Sequence, residues 1–72
     1  MDNLVNHVRI VRRADDEEEG DFYYEYHVVD EDDKVVEGTR WTHHSRHSLH
    51  YYNHWLFERG FRISSDCQLT QP

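Results

Sequence analysis

Val8 and Ile10 alternate with Arg9 and Val11, a period of two that predicts a strand over about residues 5-13 and leaves its register open. Phe22, Tyr24, Tyr26 and Val28 share one face of a second period-two segment; Tyr23, Glu25, His27 and Val29 share the other. This is the strongest strand pattern in the chain. Val35, Glu37, Thr39 and Trp41 predict a third strand, so the first part of the chain reads as a three-stranded antiparallel meander. Its middle strand of about nine residues spans roughly 30 Å.

After Thr42 the period lengthens. Ser45, Leu49, Tyr52 and Leu56 fall on one helical face over about residues 43-59, with Trp55 at its edge. Thr42 or Ser45 is the expected N-cap. Arg59 suits the negative end of the helix dipole, and Gly60 suits the left-handed position that closes the last turn. Phe61 and Ile63 then alternate with Arg62 and Ser64, which predicts a short edge strand fading into a polar tail. The expected fold is α+β: a three-stranded antiparallel meander packed by one helix, with a short C-terminal fourth strand, in a single domain over residues 1-72.

Between the strands lie the acids. Asp15, Asp16, Glu17, Glu18 and Glu19 with Asp21 form one run, and Asp30, Glu31, Asp32 and Asp33 form the other. Local side-chain hydrogen bonding suits both to turns, so they fall at opposite ends of the second strand. Their expected separation is near one turn of duplex DNA, about 34 Å. Residues 1-42 carry nearly all of the negative charge, whereas residues 43-72 hold Glu58 and Asp66 against Arg46, Arg59 and Arg62. The whole chain has a net charge of -7. Dense negative charge repels phosphate and attracts basic partners. With Lys34 the only lysine, the same composition also fits adaptation to a salty cytoplasm.

Seventy-two residues support one thin core, because a chain of that length buries only about 60% of the surface its unfolded form exposes. Two Trp, five Tyr and three Phe are many for such a core and raise the expectation of a homodimer. Cys67 is the only cysteine, so an internal disulfide is excluded and a reducing compartment is expected. Met1-Asp2-Asn3-Leu4 does not open as a secretory signal, and no segment is apolar over a membrane-spanning length, so a soluble, cytoplasmic protein without a membrane partner is expected.

The histidines supply the most conspicuous candidate chemistry. His43, His47, His50 and His54 are spaced four, three and four apart, as one stripe of a helix would be. Zinc uses such i, i+4 pairs but needs further convergent ligands, with His44 or Cys67 the available candidates. The sequence contains no HExxH arrangement, so an exposed, pH-sensitive stripe is preferred, with no metal or other cofactor. Tyr51, Trp55 and Phe57 border it and could anchor a partner. Arg9, Arg12, Arg13, Arg40, Arg46, Arg59 and Arg62 are dispersed along the chain, which makes direct nucleic-acid binding the weaker expectation. Neither a Gly-rich phosphate loop nor a nucleophile elbow occurs, and solvent-facing acidic turns do not build a proton-transfer pocket. A non-enzyme is therefore expected.

Taken together, these features predict an acidic interaction module that blocks a basic surface of another protein. The sharper expectation is a viral or mobile-element inhibitor that mimics DNA against a nucleic-acid-processing enzyme. Asp15, Asp16, Glu17, Glu18, Glu19, Asp21, Asp30, Glu31, Asp32 and Asp33 supply the field, and Tyr23, Glu25 and His27 add contacts from a strand face expected to be exposed. The alternatives are a small nucleic-acid-binding protein and a histidine-based structural zinc protein.

Overall fold

The computed structural model describes residues 3-15 and 20-71. Its elements are β1 (Asn3–Ala14), β2 (Phe22–Val28), β3 (Trp41–His43), α1 (Leu49–Phe57) and β4 (Phe61–Thr70). They form one sheet in the order β3-β2-β1-β4. The first three strands make the expected antiparallel meander, and β4 joins β1 in parallel. Two antiparallel steps make β3 parallel to β1 and hence to β4. The segment between them must therefore cross the sheet, and α1 supplies that crossover.

The helix covers one sheet face. Val8, Ile10 and Arg12 of β1 stand in register with Val28, Tyr26 and Tyr24 of β2. Val5, Val8, Ile10, Tyr26 and Val28 are buried against Tyr52 and Leu56, with Leu49, Trp55, Phe61, Ile63 and Cys67 packed around them. The Leu49, Tyr52, Leu56 stripe therefore performs as its spacing implies. Val5 and Val8 both enter the core although an uninterrupted strand would place them on opposite faces. The ladder shifts register between Val5 and His7, where β4 passes from Ile63 to Gln68. That irregularity resolves the open register of β1, and it also disrupts an edge strand that could otherwise pair with another chain.

Three local expectations change. The third strand is confined to Trp41–His43, with Val35 making only an isolated bridge to Val29. Gly38 leaves the extended region at φ 84°, and the Thr39 hydroxyl takes over from the ladder. It accepts from the Val28 amide at 3.2 Å and donates to the Val36 carbonyl at 2.6 Å. The helix starts at Leu49 rather than about residue 43, and Ser48, not Thr42 or Ser45, is its N-cap. Pairing of His43 with Tyr24 keeps the preceding segment in the sheet. Finally, β4 continues to Thr70 instead of fading after Ser64, because Gln68, Leu69 and Thr70 resume pairing with His7, Val8 and Arg9. At the end of α1, the Gly60 amide donates to the Phe57 carbonyl at 3.1 Å, with Gly60 at φ 86° as expected.

Candidate protein-interaction surface

The strand β2 carries an acidic connection at each end. At one end the Asp15 amide donates to the Asp21 carbonyl at 2.9 Å, beyond the last β1-β2 pair, Ala14 with Phe22. Asp21 is exposed and Asp15 half-buried. The predicted contributors Asp16, Glu17, Glu18 and Glu19 lie outside the described residues. β2 has seven residues rather than the nine expected, but from Asp21 to Asp30, the acids that flank it, the chain still spans roughly 30 Å at the strand rise.

The second connection is a built turn. One Asp30 carboxylate oxygen accepts from the amides of Asp32 and Lys34, both at 2.9 Å. The Asp30 amide donates to the Lys34 carbonyl at 2.9 Å, and Asp33 takes a left-handed φ of 63°. Asp33 is ion-paired with Arg9, so part of its field is neutralised locally. Glu31 and Asp32 are exposed, with no side-chain hydrogen bond or ion pair among the described residues. The turn thus uses Asp30 to fix its backbone and Asp33 to tie it to β1, leaving the carboxylates of Glu31 and Asp32 exposed to solvent.

Glu25 and His27 differ from expectation. They stand on the sheet face away from α1, but only 6% and 7% of their surfaces remain exposed. Glu25 is therefore not an available partner contact. Its carboxylate accepts from Arg13 Nε at 3.1 Å and from Arg40 Nε at 2.6 Å, and it meets His27 Nε2 at 3.1 Å. The alternation identified the correct face but not the two arginines that fold over it. Tyr23, in register with Arg13, remains half-buried at the margin.

Burial acts to raise the Glu25 pKa, but the bonds from Arg40, Arg13 and His27 outweigh it and leave the carboxyl below its ordinary value of 4.5. A depressed carboxylate pKa stabilises the fold fully above the unfolded-state value, and that contribution disappears as pH falls through the folded value. Glu25→Gln should therefore lower stability at pH 7 by about 1 kcal/mol, a modest loss because both guanidiniums are solvent-exposed. In urea titrations the gap between variant and parent should close as pH falls below 4.5 toward 3. A gap that persists unchanged at pH 3 would assign the effect to packing rather than charge.

The proposed single histidine stripe does not form. His50 and His54 lie on α1, whereas His43 is in β3 and His47 is in the connecting turn. His43 Nδ1 accepts from the Ser45 amide at 3.1 Å and lies 2.8 Å from Ser48 Oγ. Its ring stacks near Trp41, His44 and Tyr51. Burial first, then the neighbouring His44, lowers the His43 pKa and favours its neutral, accepting form. His54 instead approaches Glu58 at 3.1 Å at the helix end. Among the described residues, no group of three His, Cys, Asp or Glu side chains could hold a metal ion.

Aromatic residues are largely used within the domain. Tyr26, Trp41, Tyr52 and Trp55 form a run of ring contacts with centroid separations of 5.1 to 6.0 Å. Tyr51 and Phe57 remain exposed on the helix. Burial raises the Cys67 thiol pKa, working against thiolate formation. Among the described residues, no helix is long and apolar enough to cross a membrane. No family model, curated protein or solved structure matches this chain.

Proposed function

We propose that this chain is an acidic protein-interaction module that occupies a basic surface on a nucleic-acid-processing protein and inhibits it by charge competition. The supporting observation is the Asp30–Asp33 turn, whose own hydrogen bonds hold Glu31 and Asp32 exposed at one end of the sheet. A fixed turn loses little conformational freedom on docking, so its charge contributes to affinity as well as to encounter rate.

Affinity capture with identification by mass spectrometry should recover a basic nucleic-acid-processing protein whose retention falls as salt rises. For that purified partner, combining Glu31→Gln with Asp32→Asn should weaken binding about tenfold, a loss of about 1.4 kcal/mol, and flatten the salt dependence. Both positions are exposed, so circular dichroism should show an unchanged fold. Undiminished binding and inhibition by the folded double variant would reject this function.

A further inference from the structure

We infer that the sheet face opposite α1 is a seat for a compact phosphate group, separate from the acidic turn. Residues Arg9, Val11 and Arg13 of β1 stand in register with His27, Glu25 and Tyr23 of β2 on this face. Arg40 adds a third guanidinium through its bond to Glu25. A chain with net charge -7 thus gathers three arginines on the sheet face that α1 does not cover. Their sequence dispersion conceals this arrangement because strand alternation and the Glu25 contact bring them together.

The face already binds carboxylates of the same chain. Glu25 lies between Arg13 and Arg40, and Asp33 lies on Arg9. The buried Glu25 carboxylate restrains two guanidiniums whose side chains are still 53% and 59% exposed. Each retains outward N–H groups suited to oxyanion oxygens, and arginine binds phosphate through such paired donors. His27 Nδ1 is also buried and lacks a hydrogen-bond partner, leaving an unsatisfied polar atom beside this arginine cluster.

Charge complementarity selects an anion, and the flanking acids select a small one. A nucleic-acid strand extending along β2 would meet Asp21 at one end or Glu31 and Asp32 at the other. Counted by strand rise, Asp21 and Asp30 are roughly 30 Å apart, so an anion held by the arginines around Glu25 lies more than one Debye length from either end at ordinary salt. A phosphomonoester or inorganic phosphate gains the Arg13 and Arg40 contacts without reaching Asp21 or the turn that Asp33 ties to Arg9.

Inorganic phosphate titrated at constant ionic strength, followed by amide and arginine Nε–H resonances, should give saturable shifts at Arg13, Tyr23, Glu25, His27 and Arg40 with a Kd of about 1 mM. Arg13→Ala and Arg40→Ala should each weaken binding about fivefold, and Arg40→Lys should lose less because it keeps charge but not the planar fork. Arg59→Ala, which removes a guanidinium stacked on Trp55 at the helix end, should leave the affinity unchanged. Each variant's spectrum provides its own fold check. Absence of saturation, equal weakening by Arg59→Ala, or stronger arginine-dependent binding of a single-stranded oligonucleotide than of phosphate would overturn the assignment. Glu31→Gln with Asp32→Asn should leave phosphate binding intact, which distinguishes failure of this site from failure of the acidic turn.

Discussion

Leu56→Ala is expected to lower the unfolding free energy by about 3 kcal/mol. Leu56 is fully buried among residues from β1, β2 and α1. Its removal leaves a void beneath a nine-residue helix, and a helix that short does not persist without tertiary packing. The surrounding rings cannot easily fill the space, because Tyr26 and Tyr52 are positioned by hydroxyl bonds as well as by packing. Against a total stability of roughly 5 kcal/mol for a small domain, such a loss should reduce the urea midpoint by more than half. The hydrophobic-core role of α1 would be wrong if the variant lost less than about 1 kcal/mol.

Tyr26→Phe should be nearly as damaging, although it removes a single oxygen. The fully buried Tyr26 hydroxyl donates to the Ser45 carbonyl at 2.6 Å and accepts from the Ser48 amide at 3.1 Å. That oxygen fastens the β3-α1 connection onto β2 and positions the Ser48 cap, which makes no side-chain capping bond of its own. Phenylalanine keeps the contacts with Trp41 and Tyr52 but leaves the carbonyl and amide without this partner. The expected loss is about 2 to 3 kcal/mol, or roughly 10 to 15 °C in thermal midpoint. Tyr51→Phe, at an exposed ring, is the control and should shift the midpoint little. Equal midpoints for Tyr26→Phe and the parent would remove the hydroxyl from this account of the helix start.

The same hydroxyl explains why the helix boundary was not legible in the sequence. His43, His47, His50 and His54 have helical spacing, but spacing describes a helix only if the backbone is already helical throughout. Tyr26 reaches Ser45 and Ser48 from 19 and 22 residues away, and pairing with Tyr24 holds His43 in β3. The histidines are consequently divided between strand, turn and helix. Glu25 illustrates a parallel limitation: alternation places it opposite Tyr24 and Tyr26, but burial depends on Arg13 and Arg40 folding across that face. The Asp30–Asp33 turn was more legible, since an aspartate accepting from nearby amides is a local interaction.

Local chemistry in the sequence determined the meander, the amphipathic Leu49, Tyr52, Leu56 stripe, the Gly60 stop and the acidic connections. Each follows from side-chain period or from bonding between close neighbours. Only the tertiary structure decided that β4 runs parallel beside β1, that β1 changes phase near His7, and that Arg9, Arg13 and Arg40 share a face. Those outcomes depend on which distant backbone edges pair and which charged groups then meet, interactions that periodicity along one segment does not encode.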